Sequence, residues 1–70
     1  MERTHVTSRN LYAVGYDEDS FTLEIEFNSG ATYQYYNVPA SVYRALMYAG
    51  SKGQYFDSRI RNGPYRYREV

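Results

Sequence analysis

The feature that most constrains the fold is residues 21–27, in which apolar and polar side chains alternate without a break. A period of two predicts a β-strand with one buried and one solvated face. The predicted core-facing residues are Phe21, Leu23, Ile25 and Phe27, and the predicted solvent-facing residues are Thr22, Glu24 and Glu26. The neighbouring segments must therefore pair with a strand whose inner face is already defined.

The next three residues, 28–30, have the composition of a hairpin loop whose glycine adopts the left-handed conformation. A three-residue loop places Ile25 opposite Tyr33 and Leu23 opposite Tyr35. Because directly opposed residues share a face, both tyrosines are predicted to lie on the core side. A two-residue loop would reverse this assignment, and the longer loop is preferred because it leaves the intervening glutamine in water.

Two further strands flank the alternating one. Residues 11–16 predict a strand, and the acidic residues 17–20 predict the tight turn after it. Residues 31–38 predict the strand that follows the hairpin loop. The three strands together form a predicted antiparallel meander.

A helix is predicted after the meander. Pro39 suits the first helical turn. Val42, Leu46 and Ala49 follow at helical spacing. Gly50 is then a natural residue at which to end the helix.

A second helix is predicted from Ser51, which caps it, with Gln54 completing a capping box three residues on. Phe56 and Ile60 form its apolar stripe. Residues 62–68 supply Asn, Gly and Pro to end this helix, followed by an alternation compatible with a short closing strand. The predicted fold class is α+β: a three-stranded antiparallel β-meander, then two helices packed on one face, with a short C-terminal strand allowed.

The size and composition predict one domain over residues 1–70, a monomer or a weak dimer. The chain has no cysteine, so it has neither disulfides nor thiolate metal sites. Its first residues lack the apolar run of a signal peptide, and no segment is long and apolar enough for a membrane span. We therefore expect a cytoplasmic protein with no membrane partner.

The net charge is zero, but the charges are unevenly distributed. Residues 1–35 carry two basic and six acidic side chains, and residues 36–70 carry six basic and two acidic side chains. Such asymmetry permits a basic patch on a neutral protein.

No group of residues predicts catalysis. His5 is the one histidine, and no metal-ligand spacing or nucleophile motif surrounds it. The acidic turn at residues 17–20 lacks the glutamate that a calcium loop places at its twelfth position, because Asn28 stands there. We expect no enzyme activity, no cofactor and no metal.

A G-x-x-G sequence, Gly50-Ser51-Lys52-Gly53, lies between the two predicted helices. KH domains use such a loop to clamp a nucleic-acid backbone, because glycines admit close approach and a lysine adds charge. A helix stop at Gly50 followed by a cap at Ser51 explains the same residues, and by motif frequency this structural explanation is the commoner one.

Aromatic and basic residues interleave in the last third of the chain. Tyrosine can stack on bases while arginine neutralises phosphates, which suits single-stranded nucleic acid. The alternative is that the tyrosines pack on the core while the arginines form the wet face of an edge strand. The candidate nucleic-acid-binding residues are Gly50, Lys52, Gly53, Arg59, Arg61, Arg66 and Arg68.

Several segments together resemble a known family. They are Leu23-Glu24-Ile25-Glu26-Phe27, Tyr33-Gln34-Tyr35, Val38-Pro39, Val42-Tyr43, Leu46, and Ser51-Lys52-Gly53-Gln54-Tyr55-Phe56 through Ile60. In this combination the chain resembles the KTSC domain, from about Val6 to Tyr65. That domain is found at the C-terminus of some lysyl-tRNA synthetases and as stand-alone bacterial and phage proteins. Asp57 stands where the family more commonly has asparagine.

The resemblance implies no established activity and offers no catalytic residues. It suggests RNA binding through the synthetase context. The leading hypothesis is a small accessory binding module whose partner is nucleic acid, RNA above DNA. The alternative is a protein-interaction module, self-associating through an edge strand or through exposed tyrosines such as Tyr36.

Overall fold

A computed structural model describes all residues, Met1–Val70, and shows one antiparallel sheet of five strands in the order β1-β2-β3-β4-β5. The strands are β1 (Arg3–His5), β2 (Leu11–Asp17), β3 (Thr22–Phe27), β4 (Thr32–Tyr35) and β5 (Tyr67–Glu69). The central three are the predicted meander, and β5 is the closing strand that the sequence allowed. The extra strand, β1, is three residues long and exposed, so it carries no hydrophobic alternation from which it could be predicted.

Two helices connect β4 to β5: α1 (Ala40–Tyr48) and α2 (Lys52–Phe56). The chain continues from α2 into a wider π-helical turn, Asp57–Arg61. Neither helix is long and apolar enough to cross a membrane. The buried core between the helices and the sheet comprises Val6, Leu11, Val14, Leu23, Ile25, Tyr35, Val38, Leu46, Phe56 and Ile60.

The hairpin between β3 and β4 has the predicted register. Leu23 lies opposite Tyr35, and Ile25 lies opposite Tyr33. Gly30 has a φ of 96°, which is the left-handed conformation expected of the last loop residue. Tyr33 and Tyr35, which belong to one of the segments that resemble the KTSC domain, therefore share the helix-covered face of the sheet with the core residues of β3.

The prediction was wrong at the start of β3. Phe21 was expected in the core, but it is 51% exposed and has a φ of 54°. This left-handed residue ends the turn and breaks the alternation, so β3 begins one residue later. Thr22, expected in water, is buried, and its hydroxyl oxygen accepts a hydrogen bond from Ser20 Oγ at 2.9 Å.

The sheet face away from the helices is polar and internally paired. Arg3 on β1 lies opposite Gly15 on β2, which in turn lies opposite Glu24 on β3. The arginine reaches across the glycine to place Nε 3.3 Å from Glu24 Oε2 and Nη1 3.2 Å from Glu26 Oε1. Gly15 is required there because a Cβ would stand 2.7 Å from the backbone carbonyl oxygen of Glu2. One arginine therefore offsets part of the negative charge of the two glutamates on this face.

The helix boundaries confirm one predicted signal and correct another. Ser51 caps α2, because its Oγ accepts a hydrogen bond from the Gln54 amide at 3.3 Å. Gly50 does not end α1 through a left-handed conformation. The helix ends at Tyr48, and the next residue, Ala49, is already extended with a ψ of 139°. A Cβ on Gly50 would meet nothing within 4 Å.

Gly30 and Gly50 differ in backbone conformation, and this difference leads to a prediction on stability. Gly30→Ala should lower the free energy of unfolding by about 1 kcal/mol, because an L side chain is disfavoured in the left-handed region. Gly50→Ala should leave it unchanged or raise it by less than about 1 kcal/mol, since the space is open and the backbone is not left-handed. Urea unfolding of both variants checks this, and equal destabilisation by the two substitutions would contradict it.

Candidate functional site

An aromatic cleft opens at the end of the sheet that carries the β3–β4 hairpin loop. Its volume is about 710 Å³. It exists because β5 extends the sheet beyond the cover of the helices, leaving Tyr67 on the helix side but 62% exposed. The residues that line this aromatic cleft are Arg9, Asn10, Phe27, Asn28, Ser29, Ala31, Tyr33, Tyr35, Arg61 and Tyr67.

Rings of β3, β4, β5 and α2 form the wall of the aromatic cleft. Tyr67 lies with its ring centroid 5.6 Å from that of Tyr35 and 6.0 Å from that of Tyr33. Behind them, Phe56 meets Tyr35 edge to face at 5.4 Å and Phe27 at 5.5 Å. Edge-to-face contacts of this kind hold aromatic rings in fixed orientations. The cleft is therefore a packed aromatic surface and not a gap between loosely held side chains.

Tyr35 is both a core residue and a cleft residue. Only 4% of its surface is exposed, yet it lines the aromatic cleft. The hydroxyls of Tyr16 and Tyr36 donate hydrogen bonds to Val38 O and Gln34 Oε1, whereas the Tyr35 hydroxyl has no partner in the chain. Burial raises the pKa of Tyr35 above its ordinary value of 10.0, and the nearby Arg61 guanidinium opposes that rise.

A polar notch of about 380 Å³ adjoins the aromatic cleft and shares Arg9 and Asn10 with it. The residues that line the polar notch are Thr7, Ser8, Arg9, Asn10, Gly50, Ser51, Lys52, Gly53, Gln54 and Asp57. Lys52 Nζ donates a hydrogen bond to Ala49 O at 3.2 Å, which holds the ammonium group at the loop between the helices. The G-x-x-G sequence thus forms one wall of the notch.

The other wall of the polar notch is the loop between β1 and β2, and Asn28 holds this loop in place. The Asn28 side-chain amide donates hydrogen bonds to Arg9 O at 2.6 Å and to Ser8 O at 3.2 Å. The Asn28 backbone amide donates to Asn10 O at 2.8 Å. The hairpin loop therefore positions the backbone that carries Arg9 between the two depressions.

The π-helical turn supplies the boundary between the polar notch and the aromatic cleft. Asp57 lines the notch, Arg61 lines the cleft, and Arg61 Nη1 lies 3.2 Å from Asp57 Oδ1. The Arg61 guanidinium also lies over the rings of Phe56 and Phe27, at 5.4 and 6.0 Å from their centroids. Cation–π contact and the ion pair together fix this charge at the rim of the cleft.

The charge at this end of the molecule is basic. The polar notch and aromatic cleft together hold Arg9, Lys52 and Arg61 against one carboxylate, Asp57. The ion pairs of the chain use only Arg3 and Arg61, so neither Arg9 nor Lys52 is paired with a carboxylate. The acidic turn lies at the opposite end of β3, roughly 17 Å away along the strand.

The structure brings together only some of the predicted site residues. Gly50, Lys52 and Gly53 line the polar notch, and Arg61 lines the adjoining aromatic cleft. Three further arginines line neither depression: Arg59, Arg66 and Arg68. Arg68 lies opposite Gln34, so its side chain belongs to the sheet face away from the helices. A single basic surface joining all of the predicted residues is therefore not formed.

The predicted site residues omit Arg9 and the tyrosines of the aromatic cleft, although Tyr67 belongs to the interleaved aromatic and basic segment that was considered for base stacking. The register had placed Tyr33 and Tyr35 on the helix side, but it gave no sign that the helices stop short of β5. The position of Tyr67 could have been predicted, because a closing strand paired with β4 places this tyrosine on the same face as Tyr35. Arg9 gave no signal, because its position depends on a hydrogen bond from Asn28 across the fold.

The arrangement lacks the components of a metal centre, since no group of three or more histidine, aspartate or glutamate side chains converges.

Comparison with known proteins decides the family. A profile of the KTSC domain matches residues 7–67. The chain belongs to the KTSC domain family. A crystal structure of a KTSC domain protein from Yersinia pestis superposes with a TM-score of 0.93 at 39% identity, covering 99% of this chain and 96% of that one. The resemblance seen in the sequence is thereby confirmed.

Curated relatives of this KTSC domain are of two kinds. An uncharacterized protein of Stutzerimonas stutzeri is 42% identical over 67 residues, which is 96% of this chain and 94% of that protein. A lysine–tRNA ligase of Nostoc sp. is 41% identical over 60 residues, which is 86% of this chain but 10% of the ligase. The same domain therefore occurs as nearly a whole protein and as a small part of a large one.

The buried tyrosines generate a prediction on pH. Burial raises the pKa of Tyr16 and of Tyr35 in the folded chain above 10.0. Above that pH the unfolded chain releases phenolic protons that the folded chain retains, so the free energy of unfolding should fall as the pH rises. In urea unfolding, Tyr35→Phe should weaken this pH dependence.

Tyr48→Phe is the matched control, because Tyr48 is 90% exposed and its substitution should leave the pH dependence unchanged. Identical pH profiles for Tyr35→Phe and the unsubstituted chain would contradict the conclusion that the buried Tyr35 phenol contributes to the pH dependence of unfolding.

Proposed function

We propose that this KTSC domain is a small non-catalytic module that binds single-stranded nucleic acid, RNA above DNA, along the polar notch and the aromatic cleft. The observation that carries the proposal is the adjacency of two unpaired cations, Arg9 and Lys52, to an open aromatic wall. Cations that track a backbone beside rings on which bases stack are the two components of single-strand binding sites.

The polar notch suits a phosphate backbone. Its lining contains no apolar side chain, and its one carboxylate, Asp57, is paired with Arg61. The fold does not require glycine at position 50, since a Cβ there would meet no atom within 4 Å. A glycine at this position leaves room for a backbone to approach the loop.

Family relationships favour RNA as the nucleic acid. A segment 41% or 42% identical to this chain forms about a tenth of each of three lysine–tRNA ligases, which are named for an RNA substrate. A small domain carried by such an enzyme is suitably placed to contact RNA. This relationship supports RNA above DNA, while the notch and cleft support nucleic acid in general.

The alternative of a protein-interaction module finds less support. Tyr36, the tyrosine expected to be exposed, is half-buried, and its hydroxyl donates to Gln34 at 3.1 Å. The edge strand β5 is three residues long and carries Arg68 and Glu69. Short and charged edge strands discourage the addition of a further strand.

Charge-reversal variants test the proposal. Binding of a fluorescently labelled, random-sequence single-stranded RNA is measured by anisotropy at about 0.1 M salt, where exposed charges farther than about 10 Å are screened. Lys52→Glu and Arg9→Glu should each weaken binding roughly 5- to 10-fold, because each removes a phosphate contact. The same substitutions should flatten the salt dependence of the affinity.

Arg68→Glu is the matched control, since it makes the same change of charge on the opposite face of the sheet. It should change the affinity by less than about 2-fold. If Arg68→Glu weakens binding as much as Lys52→Glu does, the RNA does not bind at the polar notch. Absence of binding to RNA even at low salt would refute the function.

A further inference from the structure

We propose that the aromatic cleft is a subsite for one unpaired nucleobase, which stacks on Tyr67 and is hydrogen-bonded at its edge by the Tyr35 hydroxyl. The inference rests on the proposed function, because the strand that delivers the base is the one whose phosphates lie along the polar notch. It adds that the domain recognises bases and not the charged backbone alone.

The first argument is the unsatisfied hydroxyl of Tyr35. Only 4% of the surface of Tyr35 is exposed, and its hydroxyl has no hydrogen-bond partner in the chain. The hydroxyl oxygen keeps some exposure to solvent, so a molecule in the aromatic cleft can reach it. A hydroxyl that is accessible and has no partner in the chain is free to bond to a polar group of an occupant.

The second argument is the exposed ring of Tyr67. Its neighbours in the sheet, Tyr33 and Tyr35, hold it at centroid distances of 6.0 and 5.6 Å, yet most of its surface is exposed. A tyrosine that is fixed on one side and open on the other presents a platform for a planar group. Its position on β5, beside the cleft, directs such a group into the cleft.

The third argument is the combination of these groups with charge. An aliphatic side chain would leave the Tyr35 hydroxyl unpaired, and a nucleobase offers both a face for Tyr67 and a polar edge for Tyr35. Arg9 and Arg61 line the same cleft and suit the phosphates that flank a base. The volume, about 710 Å³, lies within the range of roughly 300–1,000 Å³ typical of small-ligand sites.

The occupant must be an unpaired base. In a duplex, both faces of a base are stacked on its neighbours and its pairing edge is occupied. The aromatic cleft therefore selects single strands over duplexes, which phosphate contacts at the polar notch alone would not do.

The experiment compares three probes: a short single-stranded RNA, an abasic strand with the same ribose–phosphate backbone, and the duplex of the RNA. Affinities are measured for the unsubstituted domain and for Tyr67→Ala, Tyr67→Phe and Tyr35→Phe. The single strand should bind more tightly than the abasic strand by about 5- to 100-fold, the range expected for stacking one base. Tyr67→Ala should reduce that difference to no more than the part supplied by the Tyr35 hydroxyl, roughly 3- to 10-fold.

Tyr67→Phe is the matched control, because it keeps the ring and should preserve most of the difference between the strands. Tyr35→Phe keeps the buried ring and removes only the hydroxyl, so it should weaken binding of the single strand by roughly 3- to 10-fold and leave the abasic strand unaffected. Circular dichroism of each variant confirms that the fold is retained.

The outcomes separate this inference from the proposed function. Equal binding of the single strand and the abasic strand, with Lys52→Glu still weakening both, would overturn the base subsite and leave backbone binding standing. Duplex binding as tight as single-strand binding would do the same. Binding of none of the three probes at low salt would overturn both.

Discussion

The three-residue loop between β3 and β4 is the constraint on which the rest of the structure depends. By fixing Ile25 opposite Tyr33, it sets which face of β4 meets the helices. A shift of one residue would turn Tyr33 and Tyr35 to the polar face and leave no aromatic partner for Tyr67. The same loop contains Asn28, whose side chain holds the backbone of Arg9. One local turn therefore determines the core, the aromatic cleft and one wall of the polar notch.

Charge is distributed by the fold so that a neutral chain has one basic end. Glu24 and Glu26 lie on the outer sheet face, where Arg3 pairs with both of them across Gly15. The acidic turn is placed at the far end of β3. The cations without carboxylate partners include Arg9 and Lys52, which lie together beside the aromatic cleft. Net charge alone would therefore have given no indication of a nucleic-acid partner.

Sequence patterns correctly predicted the features that depend on residues close together in the chain. The register of the hairpin, the loop glycine and the Ser51 cap lie within a few residues of the structure they determine, and each was confirmed, whereas the alternation of β3 was confirmed only from Leu23 onward. The failures have nonlocal causes. Phe21 leaves the core because the turn before it adopts a left-handed residue, and β1 forms because β2 offers it an edge. The π-helical turn and the position of Arg9 depend on contacts made only once the domain has folded, so the site was predicted in part.

The central claim is that the end of the domain carrying the polar notch and the aromatic cleft binds single-stranded RNA. The most direct measurement is an NMR titration of isotope-labelled domain with short random-sequence RNA at low and at moderate salt. The account predicts that amide shifts concentrate at residues 9–10, 28–35, 50–54 and 67, and that they weaken as salt rises. The absence of shifts at low salt, or shifts concentrated at the acidic turn of residues 17–20, would contradict it.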